Sequence, residues 1–217
     1  MALISNIRAL FSLTRGLVRG LPDLEVESDP FELFDRWFGD AGRAGILLPD
    51  AMSVATATTD GVPSARMCLL KEHGPAGFVF YTNYESRKAR ELEANPKAAF
   101  VIHWPALQRQ IRVEGAIERI SSEASDAYHQ SRTRGSRIAA WASRQSQPVE
   151  SREKLESSYR EHEQKFQGGD VALPDFWGGY RLTAQCIEFW QGRLNRLHDR
   201  LLYTRDGEGW RIERLQP

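Results

Sequence analysis

Four short stretches of this chain gather cationic, hydroxyl and aromatic side chains densely enough to do chemistry. In RMCLLK (66–71), Arg66 and Lys71 stand on an expected strand. Their spacing makes them face opposite ways, about 17 Å apart, so they serve two anions, one ligand wrapped around the strand, or solvent. In YTNYESRKAR (81–90), a strand gives way to a helix whose first turn carries Arg87 and Lys88. Cations there oppose the helix dipole, and a bound anion removes the conflict; two solvated cations are the other reading. In AYHQSRTRGSRIAAWASRQS (127–146), Tyr128, Arg132 and Ser136 recur every fourth residue. On one face of a continuous helix, a phenol, a guanidinium and a hydroxyl can hold one phosphate. An amphipathic helix with an Arg-rich exposed side is the alternative. In EFWQGRLNRLHDR (188–200), Trp190 precedes Arg193, Arg196, His198 and Arg200. Residues 196, 198 and 200 are expected on one strand face, where they repel unless an anion lies over them or Glu188 and Asp199 pair with them. A histidine beside arginines suits proton handling or the steadying of negative charge. Taken together, the four stretches point to an arginine-rich, aromatic-lined site for a phosphorylated, planar ligand.

The elements that must position these residues are legible in the pattern. Asp29-Pro30-Phe31-Glu32 is a helix start, with Asp as cap and Pro in the first turn. Phe31, Phe34, Trp37, Phe38 and Ala41 then mark one face up to about Gly45. Strands are expected over 52–58, 64–71, 77–82, 97–104 and 108–120, with Asp60-Gly61 as a hairpin turn. Residues 85–95 read as a short helix closed by Asn95-Pro96, and 122–144 as helical with a break near Thr133 to Gly135. Residues 150–166 form a charged helix with pairs spaced four apart, Arg152 to Glu156, Glu156 to Arg160 and Glu161 to Lys165. Strands return over 179–190, 198–205 and 209–215. Strands in hairpin succession with a few helices predict one α+β domain over 29–217, built on an antiparallel barrel or sheet. Residues 1–28 are expected to be a mobile or docking arm. They carry Arg8, Arg15 and Arg19, with Gly16 and Gly20 weakening any helix.

Composition narrows the function classes. Basic and acidic residues balance at 29 each, so the chain lacks the excess that phosphate neutralisation demands of a nucleic-acid binder. Of the 29 basic residues only 5 are Lys, so the fork-shaped guanidinium dominates, which matches phosphate or carboxylate oxygens. A GC-rich genome is the bland explanation of that excess. Cys68 and Cys186 form no metal-ligand spacing and read as free thiols of a reducing, cytoplasmic compartment. The five histidines make no zinc-type pair, so no metal is expected. No apolar run is long enough to span a membrane. GxGxxG, GxxxxGK[ST] and GxSxG are all missing, so a phosphorylated ligand must be held by side chains and by strand or helix ends.

The strings RMCLLK (66–71), FYTNYESRK (80–88), RQIRVEG (109–115), SRTRGSRIAAWASRQS (131–146), FWGGYR (176–181), EFWQGRLNRLHDRLLY (188–203) and the terminal RLQP closely resemble the pyridoxamine 5'-phosphate oxidase family over residues 29–217. The resemblance implies a homodimeric split β-barrel with flanking helices and FMN at the subunit interface. It implies oxidation of pyridoxine or pyridoxamine 5'-phosphate to pyridoxal 5'-phosphate, with O2 reduced to H2O2. Carried residue by residue, it assigns Arg66, Met67, Cys68, Leu69, Tyr81, Thr82, Arg87, Lys88, Gln110, Gln145, Ser146, Trp190 and Arg200 to FMN. It assigns Lys71, Tyr128, Arg132 and Ser136 to the substrate phosphate, and Arg196 with His198 to the reacting carbon. On this reading Arg66 and Lys71 face opposite ways because one belongs with each ligand. The chain departs from the family at Thr133, usually Pro, and at His129, usually aromatic. Its arm also lacks the Arg-and-Tyr pattern of some members. Two other functions compete. A sister flavin oxidase of phenazine type has no use for the substrate-phosphate set, and a flavin or pyridoxal-phosphate carrier has no use for Arg196 and His198.

Overall fold

The computed structural model describes residues 29–217; the expectations for the arm lie outside these residues. Helix α1 (Pro30–Arg43) begins as its sequence requires, with the Asp29 carboxylate accepting the Phe31 N–H at 2.8 Å. Its apolar stripe enters the core. Phe34 meets Phe78 at 5.1 Å between ring centroids, and Trp37 meets Phe189 edge-on at 5.3 Å. The remaining elements are β1 (Ala51–Ala57), β2 (Pro63–Leu69), β3 (Phe78–Asn83), α2 (Arg87–Ala94), β4 (Lys97–Trp104), β5 (Arg109–Arg119), α3 (Ser122–Ser131), α4 (Arg134–Ala142), α5 (Arg152–Lys165), β6 (Trp177–Gln191), β7 (Asp199–Asp206) and β8 (Gly209–Arg214). Every strand pairing is antiparallel.

The sheet runs β2-β1-β4-β5-β6-β7-β8, with β3 attached to β6 off this path. The long strand β6 makes the split. One edge pairs with β5 along its length, while the other pairs first with β3 and then with β7. A bridge from Glu72 to Val79 ties β3 back to the chain leaving β2 and closes the barrel. A bulge between Glu114 and Gly115 shifts the β5–β6 register and bends the pair. Gly115 is obligatory there, because a Cβ would lie 2.0 Å from the Thr183 carbonyl oxygen.

Strand β2 alternates as its sequence predicts. Arg66, Cys68 and Leu70 turn inward, while Met67 and Leu69 stay exposed, Met67 by 66%. The 122–144 helix breaks where expected. Arg132 has ψ 155° and ends α3, and Thr133 caps α4 by accepting the Ser136 N–H at 3.4 Å. Ser136 therefore does not follow Tyr128 and Arg132 on one helix face. One expectation does fail. Leu194–Arg196 is a 3-10 turn and β7 starts at Asp199, so Arg196, His198 and Arg200 do not alternate along one strand.

Candidate active site

The first cluster forms where β2, β3 and α2 meet. Ser86 caps α2, its hydroxyl accepting the Ala89 N–H at 3.4 Å. This sends Lys88 inward and Arg87 outward. Lys88 is only 7% exposed, and its ammonium donates to Thr82 Oγ1 at 2.9 Å, Gln145 Oε1 at 2.9 Å and Ser86 Oγ at 3.3 Å. Burial pulls its pKa below the usual lysine value and Arg66 adds to the pull, with Cys68 acting the other way. Arg66 donates through Nη1 to Thr56 Oγ1 at 2.6 Å and to the Val54 carbonyl at 3.2 Å, and through Nη2 to Ser64. Arg87 donates to Glu91 at 2.8 Å. Glu91, which sequence reasoning missed, collects the Thr56 and Ser64 hydroxyls and both arginines. Burial alone would raise its pKa, but hydrogen bonds from Ser64, Thr56 and Arg87 bring it down to about 2. Its signal was present: Glu91 follows Arg87 at the helix-pair spacing of four. Met67 and Leu69 flank the cluster on the exposed side of β2. Cys68 is part of it, its thiol pKa pushed up by burial against the pull of Lys88 and Arg66. Ser146 follows Gln145 in an exposed turn with φ 70°.

The second cluster is aromatic. Tyr81 from β3 stacks on Tyr128 from α3 at 3.8 Å and 15°, and Trp177 at the start of β6 lies parallel to both rings. The Arg132 guanidinium sits 4.6 Å from the Trp177 ring centroid. Its Nη1 is buried without a hydrogen-bond partner, and burial works against its charge. Ser136 shares a 2.8 Å contact with the Thr133 hydroxyl. Lys71 is set apart: it lies past the end of β2 and pairs with Asp50 at 2.7 Å. Trp177 was another residue missed by sequence reasoning. It stands inside a string carried by the resemblance, but nothing local marks it as the surface on which Arg132 rests.

The third cluster follows strand register. Gln110 on β5 pairs with Trp190 on β6, and Trp190 pairs with Arg200 on β7, so the three lie in one row. Arg200 donates to buried Glu188 at 2.7 Å, and Arg112 donates to the other Glu188 oxygen at 2.8 Å. The pairing of Arg200 with Glu188 foreseen as an alternative to anion binding is therefore present. His198 stands 4.7 Å from Trp190 between ring centroids, and its Nδ1 accepts the Arg193 N–H at 3.2 Å. A neutral ring held this way carries its proton on Nε2. Arg196 is exposed at the end of the 3-10 turn with φ 60°, directly after Asn195 at φ 58°. Leu194 and Leu197 on either side are 70% and 69% exposed.

Fold and site together define an antiparallel split-barrel protein whose cationic and aromatic side chains are gathered into three clusters. Residues 38–165 match the pyridoxamine 5'-phosphate oxidase family, and residues 177–217 match the pyridoxine 5'-phosphate oxidase C-terminal dimerisation region. The chain belongs to the pyridoxamine 5'-phosphate oxidase family, a family of oxidoreductases, and carries its dimerisation region. It is 57% identical to the pyridoxine/pyridoxamine 5'-phosphate oxidase of Rubrobacter xylanophilus, over 97% of each chain. It is 51% identical to the protein of the same name from Psychromonas ingrahamii over the whole of both. Among solved structures it is similar to PhzG from Burkholderia lata in complex with tetrahydrophenazine-1-carboxylic acid. That likeness has TM-score 0.84 and 33% identity, over 88% of this chain and 94% of the other. Among the described residues no helix is long and apolar enough to cross a membrane, and none of their His, Cys, Asp or Glu side chains group as a metal site.

Proposed function

We propose that this protein oxidises pyridoxine 5'-phosphate and pyridoxamine 5'-phosphate to pyridoxal 5'-phosphate, using FMN and dioxygen and releasing hydrogen peroxide. The observation that carries the reading is the presence of two separate cationic stations. One is Arg87 and Lys88 at the start of α2 with Arg66 from β2; the other is Arg132 on Trp177, with a buried nitrogen still lacking an acceptor. A protein that only carries flavin needs one phosphate station. A phosphorylated substrate beside a phosphorylated cofactor needs two. The 57% identity to a curated oxidase of this substrate pair supports the same reading.

The donor set at α2 fits the flavin phosphate: two guanidiniums, a buried ammonium and the Thr82 hydroxyl meet a helix N-terminus, where an anion is favoured. Met67, Cys68, Leu69, Tyr81, Gln110, Gln145, Ser146, Trp190 and Arg200 complete the set assigned to FMN. When bound, FMN supplies a hydride acceptor that dioxygen can reoxidise. The rest is done by the chain. Tyr128, Arg132, Ser136 and Lys71 hold the substrate phosphate and so fix the far end of the substrate. That converts a collision into an oriented encounter. Arg196 and His198 border the reacting carbon; His198 is held at Nδ1 by the Arg193 N–H and against the Trp190 face, so Nε2 is the nitrogen it would offer to substrate. They orient the substrate and steady the charge that develops as hydride departs. With the amine substrate, water then hydrolyses the imine product.

The protein acts as a homodimer with the cofactor at the interface. The exposed Met67 and Leu69 edge of β2 and the exposed leucines beside Arg196 are apolar surfaces that a second subunit would cover. Free Cys68 and Cys186 suit the cytoplasm. The test is direct. The purified protein should show flavin absorbance and convert pyridoxine 5'-phosphate under air to aldehyde product with matching peroxide. A flavin-loaded protein that yields no aldehyde from either substrate overturns the proposal.

A further inference from the structure

Glu91 is a buried carboxylate inside a cluster of cations that the proposed function assigns to a phosphate, and it needs an explanation. An acid beside a phosphate site repels the ligand. Its hydrogen bonds show what it does instead. An ionised carboxylate only accepts, and each hydroxyl has one proton to give. Thr56 and Ser64 both spend theirs on Glu91 Oε2. Their remaining lone pairs are thereby turned toward Arg66, which donates Nη1 to Thr56 at 2.6 Å and to the Val54 carbonyl, and Nη2 to Ser64 and to Glu91 itself at 3.5 Å, so its terminal nitrogens are anchored and Nε is left over. The other carboxylate oxygen holds Arg87 through Nε at 2.8 Å, which leaves both terminal nitrogens of that guanidinium for another acceptor. Arg87 is 54% exposed and Glu91 only 5%, so the fixed end is buried and the presenting end is open.

We propose that Glu91 is a positioning residue that aims the open end of Arg87 at the phosphate of the flavin, fixes Arg66 beside it through Thr56 and Ser64, and so sets the preference for FMN over unphosphorylated riboflavin. The inference rests on the flavin reading above and goes beyond it. Two arginines that would otherwise repel and sample many rotamers are held ready. Preorganising side chains of this kind lowers the cost of binding. With Lys88 counted, three cations and one carboxylate leave a net charge near two positive, which matches a phosphomonoester of about −1.5 to −2. The carboxylate thus trims the excess charge of the station without abolishing it.

Positioning and simple charge predict opposite signs, which makes the test sharp. Full-length protein, freed of flavin, is titrated with FMN and with riboflavin, following the quenching of flavin fluorescence. Wild type is compared with Glu91→Gln, Glu91→Ala and Thr56→Val. Thermal unfolding and gel filtration confirm that each variant is folded and keeps its assembly state. Positioning predicts that the Glu91 variants lose FMN affinity by roughly tenfold to a hundredfold, from two freed arginines. Riboflavin affinity changes by less than about threefold. Thr56→Val keeps the carboxylate and loses only one relay hydroxyl, so it should shift FMN in the same direction by less. If Glu91→Ala does not fold, Glu91→Gln and Thr56→Val decide. Tighter FMN binding in the Glu91 variants, or equal losses for the two flavins, overturns the inference and leaves the flavin reading standing. A folded wild type that binds neither flavin overturns both.

Discussion

His129→Phe should make this protein more stable, and more so at mildly acid pH. The His129 ring is completely buried, and neither ring nitrogen has a hydrogen-bond partner. A neutral imidazole has one donor and one acceptor, and each buried polar group left unmade costs about 1–3 kcal/mol. The ring packs edge-on against Trp177 at 5.5 Å, a geometry that a phenyl ring adopts equally well. The extra bulk of phenyl takes back part of the gain, since overpacking costs about 1–3 kcal/mol when the surroundings cannot yield. A net gain of about 1–2 kcal/mol remains, worth about 2–8 °C in Tm for a domain of this size. The pH dependence follows from burial, which pulls the His129 pKa below its usual 6.5, with Arg132 and then Arg137 adding to the pull and Asp126 and Asp170 opposing it. A base whose folded pKa is lowered takes up protons more readily when unfolded. The wild type therefore loses stability as pH falls below about 6.5, until the folded pKa is passed. His129→Phe has no such loss, so its advantage must widen between pH 7.5 and about 5.5. Thermal unfolding at fixed protein concentration, followed by circular dichroism at both pH values, measures it. A Tm equal to or below that of wild type refutes the reasoning and shows that the ring nitrogens have a partner such as a buried water.

The remaining expectations follow from the same geometry. His198→Ala and Arg196→Ala should lower kcat by about a hundredfold or more while leaving the flavin content of purified protein close to wild type; flavin loss with unchanged turnover per flavin would refute their placement. Arg132→Ala should raise KM for pyridoxine 5'-phosphate by roughly tenfold to a hundredfold, the worth of a charge-assisted hydrogen bond, with a smaller effect on kcat. Gly115→Ala places a methyl 2.0 Å from the Thr183 carbonyl oxygen and must break the bulge, so Tm should fall by more than about 6 °C or the protein should be insoluble.

Much of the fold was legible because its causes are local. The Asp29 cap, the aromatic stripe of α1, the turn at Asp60-Gly61 and the inward–outward alternation of Arg66 to Leu69 depend only on neighbouring residues, and the structure keeps them. Two spacing arguments depended on backbone that the pattern alone does not fix. Tyr128, Arg132 and Ser136 share a face only if their helix is continuous, and the break expected near Thr133 is there, where extended backbone at Arg132 and Thr133 starts a second helix. Arg196, His198 and Arg200 were expected to alternate, but two successive left-handed residues place Arg196 in a turn. In both places two residues with non-helical or left-handed dihedrals alter every spacing argument that crosses them.

From residue types and order alone came the elements, the antiparallel α+β class, the lack of a nucleic-acid charge signature and, through long ordered strings, the family. Which residues meet was settled only by tertiary structure. Arg66 reaches Glu91 across 25 residues of chain, and Arg132 reaches Trp177 from another element. Gln110, Trp190 and Arg200 form a row only because three strands pair in one register. Side-chain period and capping act over a few residues and are written in the sequence. Strand register and the closure of a barrel are decided by burial of the whole core, so the site they assemble becomes visible only when the chain has folded.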